Sequence, residues 1–137
     1  MGLFGKSRRH KLPKFPASVI PTFKMLVEVL PSHEVAALHT DLDVFLEKFR
    51  EASKTEPIID FVDAEELAAI CHYLLEHYDD FDNKGKSLIV AAVRYVAVAD
   101  DPFSDSTFAS GFYDDKKVVN YVLESLDIHD KYLKLTG

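Results

Sequence analysis

The sequence predicts an all-α fold: a single compact bundle of five or six helices with a central buried helix at about 87–98. Three observations carry that expectation. From Pro16 onward the apolar residues recur at helical spacing. The segment LIVAAVRYVAVA is apolar on all sides, with Arg94 as its only charge, and such a helix belongs in the middle of a bundle. A chain of 137 residues, 47% hydrophobic and 28% charged, fits one domain that buries roughly two-thirds of its unfolded surface.

Residues 1–15 are expected to form a flexible basic arm, and 16–137 the helical domain. A first helix over 18–30 carries Val19, Ile20, Phe23, Leu26, Val27 and Leu30, with Pro31 stopping it. Ser32 then caps a second helix over 32–54, with Val35, Leu38, Leu42, Phe45, Leu46 and Phe49 on one face. Asp63 followed by Glu66 resembles a capping box and opens a third helix. Its stripe is Leu67, Ile70, Cys71, Leu74, Leu75 and Tyr78. The central segment follows Asn83; its valines would suit a strand, but two alanine pairs and the lack of a partner strand favour helix. A fifth helix starts near Asp114 or Asp115 with Val118, Val119, Val122, Leu123 and Leu126, and a short last one covers 128–135.

Charge is unevenly placed. Residues 1–16 hold Lys6, Arg8, Arg9, Lys11 and Lys14 and no acidic residue, a net +5. The remaining 121 residues hold 11 basic and 23 acidic side chains, a net −12. A body this acidic repels phosphate backbones, so sequence-specific nucleic-acid binding is not expected. The arm could touch anionic lipid or nucleic acid, the lipid contact giving about 1 kcal/mol per basic residue with help from Leu3 and Phe4; the alternative is a solvated tail that folds back on the acidic body. Myristoylation fits poorly, because Lys6 stands where the motif wants Ser or Thr. One cysteine, no long apolar run and no secretory leader pattern point to a cytoplasmic protein, peripheral to the inner membrane if the arm attaches.

Several motifs fail on inspection. Gly85-Lys86-Ser87 ends like a phosphate-binding loop, but Asp80 stands where its first glycine belongs. The run from Asp80 to Gly85 begins like a calcium hand, yet Ala91 occupies the position of the bidentate glutamate. It reads better as a turn with Asp82 or Asn83 as N-cap. His72 and Glu76, four apart, read as an exposed polar pair, and His39 as a half-buried, hydrogen-bonded ring. Cys71, on the core stripe, is expected to be inert.

One constellation is unusual. Asp100, Asp101, Asp105, Asp114 and Asp115 fall within sixteen residues that join the central helix to the next. Phe103, Phe108, Phe112 and Tyr113 are interleaved with them, which suggests that the connection folds onto the bundle. Arg94 is the natural partner for one of the carboxylates, since a buried guanidinium must be paired.

The spacing Tyr95-x5-Asp101-x3-Asp105-x5-Gly111-x2-Asp114-Asp115 resembles the signature of the YkvA-like family of bacterial domains, over about residues 87–126. Ser104, Ala109 and Ala99 stand where that family favours proline, so the aspartate geometry is the shared part. The resemblance implies a small helical module, sometimes associated with membranes, with no assigned chemistry; Arg94, Tyr95 and Gly111 are read as anchors of the loop. The functional expectation is a non-enzymatic interaction or regulatory module with a protein partner, attached to an anionic membrane surface through its arm. The alternative is a Mg²⁺ or Ca²⁺ site made by Asp101, Asp105, Asp114 and Asp115, and with an open coordination position, a metal-assisted hydrolase.

Overall fold

A computed structural model of the chain describes residues 19–56, 61–97 and 112–134, with side chains from Phe23 onward. Among the described residues five α-helices run in order: α1 Val19–Leu26, α2 Val35–Thr55, α3 Phe61–Glu76, α4 Asn83–Ala97 and α5 Tyr113–Ser125. Among the described residues there is no strand, so the all-α expectation holds.

Helix α4 is the hub, packing against α1, α2, α3 and α5. Six consecutive residues, Leu88 to Val93, are buried, which is what a helix without a polar face requires. Around it, α2 supplies Leu42, Phe45 and Phe49, α3 supplies Leu67 and Leu74, and α5 supplies Val118, Val119 and Leu123, all essentially inaccessible to solvent. The stripes expected on α2 and α3 are the ones that face the core; Leu46 and Ile70, at their edges, are half-buried. Asp82 caps α4 as expected, accepting the Gly85 N–H at 2.9 Å.

Four boundaries differ from expectation. Helix α1 ends at Leu26 rather than near 30. Leu30 is held instead by Tyr78, whose hydroxyl accepts the Leu30 N–H (2.7 Å) and donates to the Leu30 carbonyl (2.8 Å). That clamp needs both backbone groups outside a helix. Ser32 does not cap α2: its hydroxyl donates to Asp79 Oδ1 at 2.6 Å, and a 3-10 turn, Ser32–Glu34, precedes the helix. Helix α3 begins before the expected capping box, which puts Asp63 within its first turn, 3.1 Å from Lys116 Nζ. The N-cap of α5 is Phe112, not an aspartate, and makes no side-chain cap bond.

The last helix, expected over 128–135, is absent from 128–134; residues 126–134 form an irregular strap instead. Helix α5 closes with the Asp127 N–H on the Glu124 carbonyl and the Ile128 N–H on the Leu123 carbonyl. This is the hydrogen-bond pattern of a Schellman stop, with Asp127 in the left-handed region at φ 64°. The strap is then fastened by Asn120, whose side-chain amide donates to the Leu133 carbonyl (2.9 Å) and accepts the Leu133 N–H (2.8 Å).

Candidate functional site

Among the described residues the buried polar side chains are concentrated on α5, where Asp115, Lys116, Asn120, Glu124 and Ser125 are all buried. The first turn holds Asp114, half-exposed, beside Asp115, which is 3% exposed. These neighbours on one helix therefore lie in different surroundings. Lys116 crosses to Asp63 on α3. Cys71 is fully buried on α3, and its burial, followed by the charge of Asp115, pushes the thiol well above its ordinary range. A thiol held neutral in this way is no nucleophile.

At the other end of α5, Glu124 accepts a short hydrogen bond from the Tyr132 hydroxyl, which lies 2.8 Å from His129 Nδ1. His129 Nε2 in turn makes a short contact with Asp127 Oδ1. The network ties the strap to the helix.

Arg94 and Tyr95 lie near the C-terminal end of α4. Arg94 was expected to hold a loop aspartate, and Asp100, Asp101 and Asp105 lie outside the described residues; among the described ones its Nη1 donates to Glu28 Oε1 at 2.7 Å and to the Leu26 carbonyl at 3.5 Å. It anchors the segment after α1. Tyr95 is half-buried against the core. Asp101, Asp105 and Gly111 lie outside the described residues, as do Phe103 and Phe108 and the arm residues Lys6, Arg8, Arg9, Lys11 and Lys14. Phe112 does fold onto the bundle, 4.9 Å from Phe49 between ring centroids, while Tyr113 is partly exposed beneath Lys117 Nζ. Among the described residues, no group of three or more His, Cys, Asp or Glu side chains is arranged to hold a metal ion.

Two features escaped the reading of the sequence. His72 turns toward α2, meeting His39 and Asp43, rather than forming a simple exposed pair with Glu76. The end of α1 and the residues after it also present Met25, Val27 and Val29 to solvent, with Met25 84% exposed. Both depend on how helices cross or end. The only cue in the sequence was a set of apolar residues too many for the short α1.

No family model matches the chain, and no curated protein or solved structure is found similar to it.

Proposed function

We propose that this chain is a non-enzymatic helical module that attaches to an anionic membrane surface through its basic arm. The observation that carries the reading is the adjacency of two complementary features. Five basic residues with no acidic one fill positions 1–16, and the described chain that follows exposes Met25, Val27 and Val29. Cations near an anionic bilayer contribute about 1 kcal/mol each, and apolar side chains reaching its interface add to that. The interior polar groups support the same reading, since Lys116, Asn120 and Glu124 bind other parts of the fold. Among the described residues no helix is long and apolar enough to cross a membrane. Location at the cytoplasmic face of the inner membrane, a protein partner and membership of the YkvA-like family belong to the same proposal.

The test is partitioning onto phosphatidylglycerol-containing vesicles. Changing Lys6, Arg8, Arg9, Lys11 and Lys14 to Gln should abolish binding and leave the thermal midpoint unchanged. Equal binding by the variant refutes the reading. The alternative, a Mg²⁺ or Ca²⁺ ion on Asp101, Asp105, Asp114 and Asp115, makes a different demand: the midpoint must rise with either cation and fall with EDTA.

A further inference from the structure

His39 on α2 and His72 on α3 approach each other with Nδ1 to Nδ1 at 2.6 Å. Their ring planes are 11° apart and their centroids 4.9 Å apart. That centroid separation is the nitrogen–nitrogen distance plus one ring radius at each end. The line joining the centroids therefore passes through both nitrogens and lies in both ring planes. The rings meet edge to edge, lone pair against lone pair.

Such a contact holds only if one proton sits between the nitrogens. Which ring owns it follows from the far side of His72, where Nε2 lies 3.4 Å from Asp43 Oδ1. A carboxylate there favours the Nε2–H form, which leaves His72 Nδ1 as acceptor and His39 Nδ1–H as donor. His39 Nε2 can take one more proton and keep the shared bond. The pair as a whole thus keeps its bond on gaining one proton; a second, which puts N–H on both Nδ1 atoms, cannot be accommodated, because the two groups would then point at each other.

Asp43 is the charged group placed against the pair from α2, and Glu76 stands one turn beyond His72 on α3. Of the cations on the helices packed behind, Lys86 lies near Asp79, Arg94 on Glu28, Lys116 on Asp63 and Lys117 over Tyr113. The His72 side chain is 26% exposed, so solvent protons reach it. In-line lone pairs also leave no common point for a chelated metal.

We propose that the His39–His72 contact is a proton-operated latch between α2 and α3, closed around one shared proton and sprung when both Nδ1 atoms are protonated. The latch spans the helices that bring Phe45 and Phe49 together with Leu67 and Leu74, so springing it loosens that half of the core. Two measurements on the full chain test it. Long-range ¹H–¹⁵N correlation at about pH 7.5 should find His72 protonated at Nε2 and His39 at Nδ1. Between about pH 7.5 and about pH 5, the wild-type thermal midpoint should fall by about 5 °C more than that of His72→Asn. The asparagine oxygen stands near the place of Nδ1 and takes no proton. Both rings protonated only at Nε2 near neutrality, or an equal acid shift in wild type and His72→Asn, overturns the proposal. Should the variant fail to fold, the wild-type tautomers decide alone.

Discussion

Gly85 shows what a single residue contributes where two helices approach closely. A Cβ built there would lie 2.9 Å from the Phe81 Cβ and 3.1 Å from Leu126 Cδ2, so Gly85→Ala must push the start of α4 away from its neighbours. The expected cost is about 1–3 kcal/mol in denaturant unfolding, despite alanine's better helix propensity. Cys71 behaves differently. Its raised folded-state pKa means that the stabilisation from a neutral buried thiol is present below the usual thiol value of about 8.5, and fades as the pH rises beyond it. Unfolding free energy should therefore decline less steeply with alkalinity in Cys71→Ala than in wild type. An identical decline in both would mean that the thiol ionises freely in the fold. Asp114 sits in the first turn of α5 and is not its N-cap, so Asp114→Ala should cost what the helix-dipole interaction is worth, about 0.3–1 kcal/mol.

At the scale of elements, the pattern of apolar residues was enough to place α2, α3, α4 and α5, because burial of a stripe is decided by spacing. It was not enough to place their ends. Leu30 looks like the last residue of a helix in sequence, but Tyr78, 48 positions away, claims its N–H and carbonyl. Tyr78→Phe should leave those buried groups unsatisfied and cost about 1–3 kcal/mol in a chemical melt. The strap was misread for a similar reason: Asn120 supplies the bonds that an extra helix would have made within itself. Arg94 was legible as a residue needing a partner, and among the described residues Glu28 supplies one. Its ion pair with Glu28 involves a carboxylate 54% exposed, so Arg94→Ala should cost about 1 kcal/mol rather than the larger penalty of stranding a buried charge. Of the loop residues picked out by their spacing, Asp114 and Asp115 can be placed, and one is buried while the other is not. That difference follows from the packing of α5 and leaves no trace in the run of aspartates.

On the scale of the whole molecule, an acidic body of net −12 carries a stretch of +5 at its start, immediately before α1 and the exposed Met25, Val27 and Val29. An anionic bilayer attracts the first and repels the net charge of the second, so the proposed attachment depends on the arm and on the apolar residues that follow it. The attraction between exposed charges decays over a Debye length of about 10 Å at 0.1 M salt and about 3 Å at 1 M. The most direct test is partitioning of the intact chain onto vesicles of about one-third phosphatidylglycerol, measured from about 0.1 M to about 1 M salt. Binding at low salt that is lost at high salt, and absent from neutral phosphatidylcholine vesicles, is the predicted result. Absence of binding at low salt, or binding indifferent to salt and lipid charge, would contradict it.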